Sequence, residues 1–336
     1  MTSTRPSNWS HVIATDIPEN EKWTFAQKLG ECLNIHFRVE RYDGRANIPR
    51  WRRIIIYVIM ALKLFIHHRH INVLVCWQQF FGLIYASLCQ LFHVKKHTNL
   101  LVMGFIYRPK TGITGKIYHW WIQRTLTSGY IGNIIVYSQQ EVEYYSNLLT
   151  VDSHLFHFIP LAIDTEDVID VVDDGFWFST GKSNRDYSFL INALSNTDYR
   201  LIIACDELTQ PDADNIKVLH NTFGNDMLRL MGRAHGVIIA LDNEHVSSGQ
   251  LVMLQAMSLS KPIVITRSDS ITDYVKNEVN ALVIDKTKTA LLQAIDKLDK
   301  DADLYHRIST ASKKQFESLH SMASFTQSVA SLIHRQ

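Results

Sequence analysis

The sequence lacks the features that mark several protein classes. Its four cysteines, Cys32, Cys76, Cys89 and Cys205, lie far apart and form no Cys-x-x-Cys pair, which argues against a disulfide framework or a zinc ribbon and indicates reduced, buried thiols. The sixteen histidines include no His-Glu-x-x-His spacing, so no metal is expected. The formal net charge is only +1, and we therefore expect no nucleic-acid partner.

Long apolar runs are lacking too. Residues 1–11 are polar and contain no apolar core, so they do not form a secretory signal. The longest apolar run, Ile54–Ile66, is interrupted by Lys63 and falls short of the roughly 20 residues that span a bilayer. We therefore expect a cytoplasmic protein.

What the sequence does contain is a regular alternation of β-rich runs and amphipathic segments over its 336 residues. This pattern predicts α/β domains with parallel sheets, and the length suits two of them. The acidic stretch Asp164–Asp174 lacks a clear period and is interpreted as a linker. The predicted units are an N-terminal Rossmann-like domain over 1–165, a C-terminal Rossmann-like domain over 175–320, and a helix over 321–336 that packs back on the N-terminal domain.

The segment Gly181-Lys182-Ser183-Asn184-Arg185 follows a predicted strand and precedes a predicted helix. Glycine allows close backbone approach to a ligand, helix N-terminal amides favour anions, and Lys182 and Arg185 add positive charge. One interpretation is a diphosphate clamp. The other is an exposed turn in which Ser183 or Asn184 caps the helix.

A second segment runs from Ser247 to Thr266. Ser247, Ser248, Gly249 and Gln250 precede a predicted helix that carries Gln255, and Lys261-Pro262 ends that helix before the next strand. Small residues at the helix start would expose amides to an anion or a sugar hydroxyl. Taken alone, the segment also fits a plain strand–helix–strand unit.

Gln255-Ala256-Met257-Ser258-Leu259-Ser260-Lys261-Pro262-Ile263-Val264 resembles the Glu-Ala-Met-Ala-x-Gly-Lys-Pro-Val-Ile signature of retaining family 4 glycosyltransferases (glycosyl transferases group 1). Residues 271–283 resemble that family's next segment. The resemblance implies a GT-B fold, in which two Rossmann-like domains face each other across a cleft. It also implies a hexosyltransferase-type enzyme that uses a nucleoside diphosphate sugar of the UDP or GDP type as co-substrate and needs no separate cofactor.

The resemblance also implies roles for individual residues. Lys182 and Arg185 fall where the family has its diphosphate-binding Arg and Lys, and they stabilise the departing diphosphate. Gln255 falls at the second Glu of the family's Glu-x7-Glu motif, which bonds the ribose. Ser247 replaces the first Glu, which is associated with the donor sugar. The remaining donor-binding candidates are Gly181, Ser183, Ser248, Gly249 and Gln250, with Asn221 and Thr222 beside the nucleotide base, in a loop before a helix capped at Asn225 or Asp226.

Acceptor-side candidates follow three predicted strands of the first half: Trp77, Gln78, Gln79, Tyr107, Arg108 and Ser138. Polar and aromatic groups at such strand ends suit sugar binding, although core packing accounts for Trp77 equally well. Arg50–Ile66 carries basic and aromatic flanks, which suit either the inner face of an anionic membrane or a helix that covers the sheet.

The resemblance therefore implies transfer of a sugar to a glycan or lipid-linked acceptor, with retention, in cell-surface polysaccharide or glycolipid synthesis. No Asp or His stands out as a catalytic base. The alternatives are an inverting GT-B transferase or sugar-nucleotide epimerase, and a catalytically weak relative that binds a donor or serves as a scaffold. A dinucleotide dehydrogenase is disfavoured because neither half opens with Gly-x-Gly-x-x-Gly.

Overall fold

The structure is a computed structural model that describes residues 9–19, 23–42, 49–165, 169–244 and 248–334, except the side chains of Arg50 and Ser270. The chain divides into two compact units. Unit 1 comprises Met1–Pro160 together with Met322–Gln336, and unit 2 comprises Leu161–Ser321.

Unit 1 is built on a six-stranded parallel sheet of order β2-β1-β3-β4-β5-β6. Every residue of β3 and β5 is buried, because helices cover both faces of such a sheet. The strands are β1 (His11–Thr15), β2 (Arg38–Arg41), β3 (Val73–Cys76), β4 (Asn99–Val102), β5 (Asn133–Val136) and β6 (Phe156–Phe158). The helices are α1 (Phe25–Leu33), α2 (Arg50–Ile66), α3 (Gln79–Leu91), α4 (Gly112–Leu126) and α5 (Gln139–Leu149).

Unit 2 repeats this architecture with a parallel sheet of order β12-β11-β10-β7-β8-β9. Its strands are β7 (Trp177–Thr180), β8 (Leu201–Ala204), β9 (Ile216–Leu219), β10 (Gly236–Ile239), β11 (Ile263–Thr266) and β12 (Leu282–Ile284). Its helices are α6 (Tyr187–Leu194), α7 (Gly224–Arg233), α8 (Gln250–Ser258), α9 (Lys288–Lys300) and α10 (Ala302–Gln315). The predicted α/β class with two parallel sheets is confirmed.

The last helix, α11 (Met322–His334), belongs to unit 1. It packs on α1, where the rings of Phe25 and Phe325 lie 5.9 Å apart. Asn99 at the start of β4 donates to the carbonyl of Ile333. Within the described part of the chain, no helix is long and apolar enough to cross a membrane.

In unit 2 the sequence pattern predicts a helix over Ile271–Lys276 and another near Ser312–Leu319, and the structure differs at both. The segment predicted as a helix over Ile271–Lys276 is a 3-10 turn at Asp269–Asp273. The helix predicted near Ser312–Leu319 begins much earlier, as α10, and ends in a π-helical turn at Phe316–His320. Asp301 caps α10 by accepting a hydrogen bond from the amide of Leu304. It lies directly after the end of α9, so a single residue separates the two helices.

The expectation of buried thiols holds only in part. All four cysteines are free; Cys76 and Cys89 are buried, Cys205 is half-buried, and Cys32 is exposed. Burial raises the pKa of the Cys89 thiol to about 11, which keeps it protonated and inert at neutral pH.

His320 lies fully buried where the chain leaves unit 2. Its Nδ1 bonds the carbonyl of Leu161 at 2.9 Å, and its ring stacks on Tyr274. The hydroxyl oxygen of Tyr274 in turn accepts a hydrogen bond from the amide of Leu161 at 3.1 Å. Burial lowers the pKa of His320, so the folded state holds a neutral imidazole.

We expect the free energy of unfolding to fall as the pH drops below about 6.5, because the unfolded histidine then takes up a proton that folded His320 resists. His320→Gln should show a shallower pH dependence in urea titrations, by up to about 1.4 kcal/mol per pH unit. His306→Gln, at an exposed position of α10, is the matched control. Equal slopes in wild type and His320→Gln would show that His320 does not titrate on unfolding.

Candidate functional site

The loop after β7 is shaped by backbone that favours glycine. Gly181 has φ +116°, and the hydroxyl of Tyr187 donates to its carbonyl. A Cβ at Gly181 would lie 2.6 Å from Nη2 of Arg185. Only glycine leaves room here for the guanidinium to lie against the backbone.

Arg185 is held inside this loop. Its Nε donates to the carbonyl of Thr180 at 3.1 Å, and its Nη1 donates to the carbonyl of Ser183 at 2.8 Å. Burial lowers the pKa of Arg185, although an arginine remains charged at neutral pH. Among the described residues, these two bonds use two of its five N–H groups.

Lys182 lies on the outer side of the same loop. Its ammonium is strongly exposed and forms an ion pair with Glu207, which follows β8. The hydrogen bond that its ammonium donates to the carboxylate of Glu207 raises the pKa of Lys182. Lys182 is therefore an exposed, ion-paired surface charge, whereas Arg185 is held by the carbonyls of its own loop.

Asn184 joins the loop to the segment after β10, a role that the sequence did not reveal. Its Nδ2 donates to the carbonyl of Asn243 at 2.9 Å and to Oγ of Ser248 at 2.8 Å, and its Oδ1 accepts the amide of Asn243 at 2.9 Å. Its φ is +56°, which asparagine tolerates better than most residues. The helix cap that was predicted at Ser183 or Asn184 is instead Asp186, which accepts the amide of Phe189.

The start of α8 lies beside Asn184. Gly249 immediately precedes α8 with φ +92°, and Ser248 and Gln250 are buried. Ser247 lies outside the described residues. Among the described residues, the buried Oε1 of Gln255 has no hydrogen-bond partner, which leaves it able to accept a bond from a ligand hydroxyl.

A cavity of about 610 Å³ opens at the carboxyl ends of β10, β11 and β12, within the size range of small-molecule sites. Its wall includes Asn243, Glu244 and Arg267. Lys286, which also lines the cavity, donates to the carbonyl of Asp242 at 2.8 Å and forms an ion pair with Asp186 at 3.1 Å. The carboxyl edge of this sheet thus combines a concave surface with the Arg185 loop.

Asn221 and Thr222 follow β9 at the same edge. The amide of Asn221 donates to Oδ1 of Asp206, and Thr222 Oγ1 donates to the carbonyl of His220. The predicted cap at Asn225 or Asp226 was wrong, because α7 begins at Gly224 after an extended Phe223. Phe223 exposes 63% of its surface, so an aromatic ring stands free at this loop.

The six acceptor-side candidates all lie at the carboxyl edge of the unit 1 sheet, after β3, β4 and β5. Trp77 packs against Trp23 and Phe25 at ring distances of 5.2 and 4.8 Å. Gln79 is the first residue of α3. Its side-chain Nε2 donates to the carbonyl of Ile106, and its Oε1 accepts the backbone amide of Ile106. These two side chains therefore support the edge.

The other four candidates differ in exposure. Tyr107 is buried, and its hydroxyl hydrogen-bonds His119 at 2.9 Å. Ser138 is buried and Arg108 is exposed. Gln78 donates from Nε2 to Oδ2 of Asp16 at 3.2 Å, which places a carboxylate directly after β1. Sequence reasoning missed Asp16, because a single Asp after a short strand carries no motif.

The comparisons with known proteins agree with this geometry. Residues 207–315, about a third of the chain, match the family described as glycosyl transferases group 1. No curated protein sequence is significantly similar to the chain. This third of the chain is therefore similar to glycosyl transferases group 1. The matched region contains α7 and α8, and therefore also the start of α8 and Gln255.

Solved structures support the fold over the whole chain. Sucrose-phosphate synthase from Thermosynechococcus elongatus is 13% identical with a TM-score of 0.70, and covers 97% of this chain and 98% of its own. HepE from Anabaena, in complex with UDP and glucose, is 12% identical with a TM-score of 0.66, covering 98% and 100%. A glycosyltransferase from Rickettsia africae is 12% identical with a TM-score of 0.65, covering 97% and 98%. At such identities the likeness establishes the GT-B fold alone.

Among the described residues, no group of three or more His, Cys, Asp or Glu side chains could hold a metal ion.

Proposed function

We propose that the protein transfers a hexose from a nucleoside diphosphate sugar of the UDP or GDP type to a glycan or lipid-linked acceptor, with retention. Unit 2 would bind the donor and unit 1 the acceptor. The observation that carries the proposal is the Asn184 tie, which fastens the Arg185 loop to Ser248 at the start of α8. This bond fastens the two segments that carry the proposed diphosphate-binding groups to each other, which supports one prearranged site.

The chemistry of this site suits a leaving diphosphate. Negative charge develops on the diphosphate as the bond to the sugar breaks, and fixed donors stabilise it without reorganising. The three remaining N–H groups of Arg185 and the amides at the start of α8 are such donors. Lys182 would add its charge after leaving Glu207.

The nucleoside half would be bound by neighbouring groups. The buried, unpaired Oε1 of Gln255 is suited to accept a bond from a ribose hydroxyl. Asn221 and Thr222 would line the base, and exposed Phe223 offers it a ring to stack on. HepE, which shares the fold, contains UDP and glucose, and this supports a uridine donor.

An inverting reaction is the second candidate, and Asp16 is the observation that favours it. An inverting transferase needs a general base near the acceptor hydroxyl, and Asp16 stands at the carboxyl edge of unit 1. NMR of the first product separates the two reactions: retention gives an α-linkage from an α-linked donor. A β-linkage, together with loss of transfer in Asp16→Asn, would overturn retention.

A relative that binds donor with little turnover is the third candidate. It is favoured by the bonds that Arg185 makes to its own loop and by Ser247 at the position of the family's first Glu. Tight nucleotide binding without transfer or hydrolysis across a donor panel would support it.

We further propose that the reaction serves polysaccharide or glycolipid synthesis at the inner face of the membrane, with Arg50–Ile66 as the peripheral contact. A lipid-linked acceptor would be reached there. The exposed, basic and aromatic start of α2 supports this contact.

The donor assignment is tested by thermal shift against UDP-, GDP- and CMP-sugars. We expect one nucleotide class to raise the melting temperature, since a ligand at 100 times its Kd stabilises by about 2.7 kcal/mol. Gln255→Ala should reduce that shift, whereas Gln123→Ala in α4 of unit 1 is the control. No shift with any nucleotide would contradict a donor site in unit 2.

A further inference from the structure

One long stretch of unit 1 carries charge of a single sign. From Gly44 to Gln140 there are twelve Lys and Arg residues and no Asp or Glu. All 33 acidic residues of the chain lie outside this stretch, although the net charge of the whole chain is only +1. The stretch contains α2, α3 and α4, so this helical layer is strongly electropositive.

The outer face of α2 is apolar. Its residues follow one another at spacings of four, four, three and four, which place them on one side of a helix. This apolar stripe consists of Trp51, Ile55, Ile59, Leu62 and Ile66, which are between 41% and 74% exposed. The inner face holds the buried residues Tyr57, Met60, Ala61 and Leu64, so the core is already complete without the stripe.

A second exposed apolar group lies on α4. Ile113, Ile117 and Trp120 are 78%, 59% and 55% exposed, at a spacing that again forms one helix face. Both α2 and α4 pack against α3, and the end of α3 exposes Leu91 and Phe92. The same helical layer therefore carries apolar residues on each side of α3.

Basic side chains border both apolar groups. The guanidinium of Arg52 lies over the ring of Trp51, and that of Arg124 lies over the ring of Trp120. Lys116 is exposed within α4. Exposed indole rings next to cationic side chains are typical of the boundary between lipid headgroups and acyl chains.

We propose that the outer face of α2 and α4 is a membrane-docking surface that binds an anionic lipid bilayer in the plane of the interface. This goes beyond the single α2 contact in the proposed function and does not depend on sugar transfer. Apolar residues would enter the acyl boundary while the cations contact anionic headgroups. Neither helix needs to cross the bilayer, which agrees with the absence of a spanning helix among the described residues.

A second copy of the chain is a poorer occupant of this surface. Two such faces would bring like charges together, because the stretch from Gly44 to Gln140 offers no carboxylate to pair with its cations. A nucleic acid would pair with the cations but would leave the apolar stripe in water. A bilayer with anionic headgroups matches both features.

The test is co-sedimentation of the full chain with vesicles of phosphatidylcholine alone, or of equal parts phosphatidylcholine and phosphatidylglycerol. We expect binding to the anionic vesicles that weakens with added salt. The stripe variant Ile55→Ser/Ile59→Ser/Ile66→Ser should bind about tenfold more weakly, since burying apolar side chains and neutralising anionic lipid both contribute. The control Val171→Ser/Val172→Ser/Val279→Ser removes three exposed apolar side chains from unit 2, each 52% or 53% exposed.

A charge variant gives an independent measure. Arg52→Gln/Lys116→Gln/Arg124→Gln should abolish the preference for anionic vesicles, whereas Lys288→Gln/Arg307→Gln/Lys314→Gln, at exposed sites of unit 2, should keep it. Circular dichroism and melting temperature establish that all four variants fold.

Three results would overturn the docking surface. The first is no binding to either vesicle. The second is an equal loss of vesicle binding in the stripe and control variants. The third is a dimer in sedimentation velocity that dissociates only in the stripe variant, with no binding to vesicles. If neither vesicle is bound, binding to a single-stranded RNA would assign the surface to nucleic acid. The nucleotide-induced thermal shift is measured on the same variants, so a failed donor site and a failed docking surface are distinguished.

Discussion

Arg185→Ala is expected to lower the turnover number for sugar transfer by about 100-fold or more, the usual effect of removing one preorganised donor from a developing anion. The donor Kd should change less, because the charge on the diphosphate grows only as the bond to the sugar breaks. Arg185→Lys keeps the charge but loses the planar fork that bonds Thr180 and Ser183, so its rate should be intermediate.

Lys182→Ala is the internal control for this result. Its ammonium is exposed and paired with Glu207, so its removal should cost much less than the removal of Arg185. Turnover and donor affinity are measured by release of the nucleoside diphosphate, and the melting temperature reports folding. A folded Arg185→Ala enzyme with near-normal turnover would remove Arg185 from the mechanism.

Asn184→Asp should weaken donor binding by roughly 10- to 100-fold, since each polar group left unpaired costs about 1–3 kcal/mol. The aspartate can still accept the amide of Asn243, but it loses the two bonds that Nδ2 donates to Asn243 and Ser248. It also places a carboxylate beside the proposed diphosphate site, where like charges repel.

Asn184→Gly separates these two effects. Glycine keeps the backbone at φ +56° without strain and adds no charge, so it should bind donor better than Asn184→Asp and worse than wild type. Calorimetric titration with the nucleotide that gives the thermal shift measures all three. Equal affinities would mean that the tie between the two loops does not organise the donor site.

Much of the fold was accessible from the sequence, because strands such as Val73–Cys76 are apolar at successive positions and can only be buried on both faces. Helix limits were less accessible where one polar residue decides them. Asp301 and Asp186 each cap a helix through a single side-chain hydrogen bond. The sequence alone does not distinguish them from neighbouring Ser, Asn and Asp residues, which can form the same cap.

Candidate site residues can be proposed from the sequence where a motif is continuous, whereas contacts between residues that are distant along the chain cannot. Arg185 and Gln255 stand in recognisable segments, but the partners of Asn184 are 59 and 64 positions away, and no local pattern reports such a contact. Asp16 and Gln78 lie 62 positions apart for the same reason. The exposure of the α2 stripe likewise depends on which face of the helix the sheet covers, which periodicity alone does not decide.

A crystal structure of the protein with UDP and with the UDP-sugar that binds in the thermal-shift panel tests the central claim most directly. We expect the diphosphate between Arg185 and the amides at the start of α8, and the ribose within hydrogen-bond distance of Oε1 of Gln255. A nucleotide bound elsewhere in unit 2, or in unit 1, would contradict the account of the donor site.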